Sequence, residues 1–394
     1  MRLLFVKTSL GWPRATGHDV HCFHMMKALA DIGHDVSLMT REEPRPEALA
    51  GLRLYDRFRF DDPGLRSRGG TLSELPGLQE RFRRYYGLER STMASVQGAA
   101  ATLDADTVVA VGLDALPFLT DVSGAVRVWY AADEWMWHHL SQVKMAPRTW
   151  TELRQAVVKG LYERAYAPVV DRVWVVSDTE RRAMRWLAGM ATADVLPNGV
   201  DADYFSPAAD VHEIERSAIF WGRLDFGPNV QALEWFCHRV WPRVRAAVPD
   251  ARFTILGFCP SPTVVALAGH SGIELRPNVP DLRPDVRRHA LAVLPFVSGG
   301  GIKNKLLEAA SLGKAIVCTP RACDGLRTAV DVPVVSVRRP GHWADAMTRL
   351  WSDPSSRAQL GQGARRWVGS HHTWAAAAHT AVAGLAASRS GGRR

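Results

Sequence analysis

The sequence predicts an α/β protein made of two doubly wound parallel sheets. Three observations carry this. Short apolar runs alternate with longer helical patterns along nearly the whole chain. None of the runs approaches the roughly 18 apolar residues of a membrane-spanning helix. The alternation breaks once, at the turn-rich stretch 196–207 (LPNGVDADYFSP), and then resumes. A length of 394 residues suits two domains of this kind.

The first series opens with residues 2–7 (RLLFVK), a buried strand. A loop over 8–17 contains Pro13 and two glycines. Residues 18–32 then show helical spacing through Val20, Phe23, Met26, Ala28 and Leu29, stopped by Gly33. Residues 34–40 form the next strand, completing a β-loop-helix-β unit. Residues 44–70 read as irregular. Strands follow at 106–112, 125–130 and 171–176, with a helix over 150–167.

The second series begins with SAIFW at 217–221. Its later strands are expected at 252–256, 273–275, 291–295, 315–319 and 332–337. Helices are expected at 230–247, 285–290, 304–312 and 342–352. An Ala-rich helix near 373–387 ends the chain before a basic, polar tail. The expected domains are therefore 1–198, joined by the terminal helix 373–390, and 199–372. In such sheets ligands bind beyond the carboxyl ends of the strands, so two facing domains define a central cleft.

Composition narrows the function. Hydrophobic residues make up 47% and charged residues 23%, enough apolar surface to exclude a disordered chain. Five cysteines are scattered without a C-x-x-C pair, which points to reduced thiols, a cytoplasmic location and no structural zinc. Residues 1–6 are too short for the core of a signal peptide. The net charge is +9 and uneven: 25 Lys/Arg against 24 Asp/Glu in residues 1–200, then 24 against 16, so +1 and +8. A basic second half suits an anionic ligand such as a phosphate ester. Without a dense Lys/Arg run, nucleic acid is not an expected partner.

The chemistry concentrates in residues 294–325 (LPFVSGGGIKNKLLEAASLGKAIVCTPRACDG). A strand ends, Gly299, Gly300 and Gly301 follow, and a helix starts with Lys303 and Lys305 near its first turn. Glycines before a helix let backbone N–H groups approach an anion, and the helix N-terminus attracts it. Lysines there oppose the macrodipole and gain when a phosphate is present. Glu308, three residues past Lys305, can accept both hydroxyls of a ribose; a solvated Lys305/Glu308 pair beside an ordinary loop is the competing reading.

Taken together, the chain resembles the GT-B glycosyltransferases, and within them the retaining family 4, with wording similar to bacterial exopolysaccharide-type sugar transferases. The likeness rests on the opening strand and Gly loop, the PNGVD-x-x-x-F-x-P linker at 197–207, GRLD at 222–225, and the GGGIKNKLLEAASLGKAIV block. The resemblance implies that Arg223 and Lys305 bind the donor diphosphate and stabilise its developing charge. It implies that Glu308 binds the ribose, and that Gly17 packs its backbone near the diphosphate. Asn198 and Gly199 belong to the interdomain turn.

Three positions depart from the family. The first Glu of its E-x7-E motif falls at Gly300, whose N–H, with that of Gly301, is expected to serve sugar hydroxyls or phosphate. The Lys five residues after the GRL arginine is Pro228, leaving Lys303 or Lys305 to supply that contact. The His near the sugar is Ala132, followed by Asp133 at a strand end. Asp133 is read either as a polar group facing sugar or acceptor, or as an N-cap.

His18, His21 and His24 recur at i, i+3 and i+6 but drift off one helix face without completing a metal set; His18 lies at the loop edge, within reach of a ligand. Residues 81–90 (RFRRYYGLER) interleave basic and aromatic residues and fit a solvated helix or an anionic membrane surface. His138 and His139 read as surface or packing residues, Trp135 and Trp137 as core or sugar-stacking ones.

The resulting expectation is an enzyme that moves a sugar from a nucleoside diphosphate donor to an acceptor hydroxyl, by resemblance with retention and without metal or cofactor. The acceptor would be a glycan, a lipid-linked sugar or a small-molecule hydroxyl, with peripheral contact at the inner membrane face as a further option. Alternatives are a sugar-nucleotide epimerase of the same fold and a non-catalytic nucleotide-sugar-binding partner.

Overall fold

The computed structural model describes residues 1–12, 17–60, 77–85, 90–132, 149–299, 302–326 and 332–391. The chain divides into two compact units: Met1–Pro197 with Trp374–Arg394, and Asn198–Thr373.

The first unit is built on a seven-stranded parallel sheet. Its strands are β1 (Arg2–Val6), β2 (Asp35–Thr40), β3 (Arg57–Arg59), β4 (Thr107–Val111), β5 (Val126–Ala132), β6 (Arg172–Val175) and β7 (Ala193–Val195). The spatial order is β3-β2-β1-β4-β5-β6-β7. All five residues of β4 are buried, as expected of a central parallel strand covered on both faces. The helix Gly17–Asp31 returns the chain from β1 to β2. The terminal helix Trp374–Gly391 lies against it, adding Trp374, Ala377, Ala378, Ala381 and Leu385 to the same core. Its small alanines let the two backbones approach.

The second unit carries six parallel strands: β8 (Ile214–Arg223), β9 (Arg252–Phe258), β10 (Ile273–Pro277), β11 (His289–Leu294), β12 (Ala315–Cys318) and β13 (Val335–Ser336). Their order is β10-β9-β8-β11-β12-β13. In both sheets the order reverses beside the first strand, between β1 and β4 and between β8 and β11. Ligands of doubly wound sheets bind at such switch points.

Several elements differ from the sequence expectation. The edge strands β3 and β7 are three residues each and carry no apolar run, so periodicity misses them. β3 lies inside the stretch read as irregular. The strand expected over 332–337 pairs only at Val335 and Ser336, because Pro333 cannot donate to the ladder. The helix expected over 230–247 begins at Gly227, with Pro228 in its first turn. It passes through a π-helical turn, Phe236–Val240, before Trp241–Ala247. Pro242 has no N–H for His238, so the α-helical ladder cannot run through unbroken. The helix Pro354–His371 has no counterpart in the sequence expectation; its buried residues, Gly361, Ala364, Trp367 and Val368, are too few over its length for a clear stripe. Asp353 caps it by accepting from the Ser356 N–H.

Candidate anion site at the second switch point

The second unit gathers its functional side chains where β8 and β11 end. Trp221, Gly222 and Arg223 close β8. β11 ends at Leu294, and the chain runs through Phe296 to Gly299 before the helix Asn304–Ser311. Because β8 and β11 are adjacent and parallel, these segments meet.

Gly222 determines how closely they meet. Its φ is +135°, and a Cβ there would lie 2.5 Å from Lys305 Cε and 2.6 Å from Nζ. Only glycine provides both the backbone conformation and the space. The Lys305 ammonium therefore lies along the backbone of β8, with Nζ 5.6 Å from the Phe220 ring centre and 5.9 Å from that of Phe296. Among the described residues Lys305 has no hydrogen-bond or ion-pair partner. Burial pushes its pKa below the ordinary lysine range, with the charge of Glu308 opposing. Burial likewise raises Glu308, opposed by the Trp221 hydrogen bond and by Lys305. The Trp221 Nε1–H donates to Glu308 Oε2 at 2.7 Å and fixes that carboxylate.

Arg223 is half-exposed and forms a fork with Asp225, at 2.6 Å from Nε and 2.9 Å from Nη2. The pairing raises the Arg223 pKa and lowers that of Asp225. Asn229, 2% exposed, holds the turn: its Nδ2 donates to the Arg223 carbonyl at 2.7 Å. Its Oδ1 has no hydrogen-bond partner among the described residues. Gly299, at φ +88°, faces Pro228, and Lys303 Nζ donates to the Gly299 carbonyl at 3.1 Å. The residue at 228 thus packs against the Gly loop. Asn198 donates through Nδ2 to Asn304 Oδ1 at 2.5 Å, at the first residue of the helix.

Of the residues expected at a donor site, the second unit thus brings Arg223, Lys303, Lys305, Glu308 and Asn198 around two strand ends and one helix start. Gly300, Gly301 and Asp133 lie outside the described residues, as do Trp135, Trp137, His138 and His139. Gly17 and His18 belong to the first unit, where Gly17 begins the helix Gly17–Asp31. His18 Nε2–H donates to the Ala131 carbonyl at 3.2 Å. The three spaced histidines have separate partners: His21 lies 2.6 Å from the Tyr130 hydroxyl, and His24 stacks on Trp374 at 5.0 Å.

Sequence reasoning missed Trp221, Asn229 and Phe296. The signal available for Trp221 was its place just before GRLD, where an indole can reach the following helix. It also missed a polar group at the first sheet's own switch point. There Lys7 meets Asp19 at 3.0 Å, both nearly buried, and Thr8 hydrogen-bonds Asp114.

This architecture, two doubly wound parallel sheets each in its own unit, is the GT-B fold. Residues 215–353, which hold Arg223, Lys303, Lys305 and Glu308 but not Asn198, match the family model described as "Glycosyl transferases group 1". No curated protein matches the chain. Among solved structures it is similar to a sucrose-phosphate synthase from Thermosynechococcus elongatus, with 16% identity, 96% of each chain covered and a TM-score of 0.67. It is similar to HepE from Anabaena, solved with UDP and glucose: 15% identity, 98% of this chain and 99% of that one, TM-score 0.65. TarM gives 9% identity over 98% of each chain, with a TM-score of 0.70; another structure of that protein is of the S. aureus form.

Proposed function

We propose that the protein is a glycosyltransferase that moves a sugar from a nucleoside diphosphate donor to an acceptor hydroxyl. The observation that carries this is Lys305: a partly desolvated ammonium that makes no hydrogen bond or ion pair among the described residues, beside a helix start, at the switch point of a sheet, with only the charge of Glu308 acting on it. A diphosphate supplies the direct anionic partner that Lys305 lacks. The family match over residues 215–353 supports the same reading, as does the UDP bound by the similar HepE.

In this reading the second unit holds the donor and the first unit, with the terminal helix, holds the acceptor. Glu308, fixed by Trp221, accepts the ribose hydroxyls. Lys305 and Arg223 stabilise the charge that grows on the departing diphosphate. Arg223 then exchanges its Asp225 partner for phosphate, which an exposed pair does at little cost. Reaction with retention, as in family 4, lets the leaving phosphate oxygen take the acceptor proton, so neither a protein base nor a metal is called for. Gly17, His18, Asn198, Lys303 and the N–H groups of Gly300 and Gly301 complete the donor contacts, with Asp133 toward the sugar. The acceptor classes are a glycan, a lipid-linked sugar or a small-molecule hydroxyl, and the working place is the bacterial cytoplasm or the inner membrane face.

The test is a thermal-shift panel of nucleoside diphosphates and their sugars, beginning with UDP, on wild type, Lys305→Ala and Glu308→Ala. A bound nucleotide raises the midpoint by mass action. A rise with one series that disappears in both variants supports the reading; no rise with any nucleotide in a folded sample refutes it.

A further inference from the structure

The helix Thr149–Tyr166 of the first unit is apolar on two opposite faces. Ala156, Tyr162 and Tyr166 are buried on the inner one. On the outer one, Trp150 is 78% exposed, Leu153 39%, Val157 46% and Leu161 45%. At about 100° per residue these four fall within roughly 40° of the Val157 direction, a single stripe. A helix on the surface of a soluble domain ordinarily turns polar residues outward at those positions.

The same outward face carries Arg154 and Arg164, both exposed. Packed beside this helix is the turn Met184–Ala188, which continues the helix Asp178–Ala183. It exposes Trp186 (76%), with Arg185 over its ring, and the preceding turn exposes Arg181 and Arg182. Arg181 pairs with Asp178. Arg154, Arg164 and Arg185 have no carboxylate partner among the described residues. Of the acidic side chains described nearby, Glu163 and Glu180 are buried and the exposed Asp178 is the one paired with Arg181.

We infer that this face docks on an anionic lipid surface, with the apolar stripe entering the headgroup boundary and the arginines meeting lipid phosphates. Tryptophan suits that depth, and arginine lays its stem on the apolar layer while its head reaches the phosphates. A second copy of the chain would bring unpaired arginines against their own kind. The most exposed residues, Trp150 and Trp186, protrude; a fluid headgroup layer accommodates a ridge without a preformed groove. The inference stands on the first unit alone and does not depend on the donor site.

Flotation of the full chain with vesicles of phosphatidylcholine, alone or mixed with phosphatidylglycerol, tests it. Binding is expected to the mixed vesicles and to weaken with salt. Leu153→Ser with Val157→Ser should reduce partitioning about tenfold. Arg154→Gln with Arg164→Gln should reduce it about fivefold for each charge removed. Neither pair should change the thermal midpoint or the mass in light scattering. Equal binding to both vesicle types, or both variant pairs binding like wild type, overturns the inference. So does a dimer that Leu153→Ser with Val157→Ser dissociates, which would give the stripe to a second copy. If the apolar pair costs the fold, the fully outward arginine pair decides.

Discussion

Gly222→Ala separates the geometry of the proposed donor site from its chemistry. The added Cβ would fall 2.5 Å from Lys305 Cε and 2.6 Å from Nζ, on a backbone at φ +135°. Two costs follow. Backbone strain at such a φ is about 1–3 kcal/mol and destabilises the unit whatever is bound. The lysine end is flexible and moves aside, so the steric clash itself costs little, but the ammonium leaves its place. Losing one charge-assisted contact to a diphosphate is worth roughly 1.5–3 kcal/mol, or about ten- to hundredfold in affinity. Urea unfolding measures the first cost and calorimetric titration of UDP the second. Lys305→Met, which keeps the stem and removes the charge, completes a double-mutant cycle. If the affinity loss acts through Lys305, the double variant binds no worse than Lys305→Met alone, while its stability loss persists. Additive losses of affinity would refute the reasoning.

Three further outcomes are expected. Because burial depresses the Lys305 pKa, the free protein loses that charge at a lower pH than an ordinary lysine would. Diphosphate binding favours the ammonium, so affinity should fall as pH rises through that depressed value, and Lys305→Arg should move the fall to higher pH; a flat profile in wild type would contradict this. Trp221→Phe removes the only hydrogen bond to the Glu308 carboxylate among the described residues, so the nucleotide should bind roughly tenfold or more weakly, whereas its effect should largely vanish in a Glu308→Gln background. Burial pushes the thiols of Cys22 and Cys237 up to about 12, while Cys259 is exposed and contact with Cys318 lowers the pKa of Cys323. Ellman's reagent should therefore label Cys259 and Cys323 in the native protein, and Cys22 and Cys237 only after denaturant; early labelling of Cys22 would show that its core opens.

The sequence by itself determined the central strands and the helices between them. β1, β4, β11 and the middle of β8 are apolar runs because they are buried on both faces, and that burial is what a linear pattern records. It also marked Lys303, Lys305 and Glu308, since glycines ahead of a helix with basic residues in its first turn leave a local trace; Arg223 stood out only through the resemblance of GRLD to a known family. The edge strands β3 and β7 left none, because half-covered strands need no apolar run. Only the tertiary structure decided that Gly222 and Lys305, 83 positions apart (305 − 222), share one space, and that Trp221 rather than solvent holds Glu308. It alone showed Asn229 bonded to the Arg223 carbonyl, and an apolar stripe turned outward on Thr149–Tyr166. Those facts come from which strands lie side by side and which helix face is covered. Both are set by packing between segments distant in the chain, which no local pattern encodes.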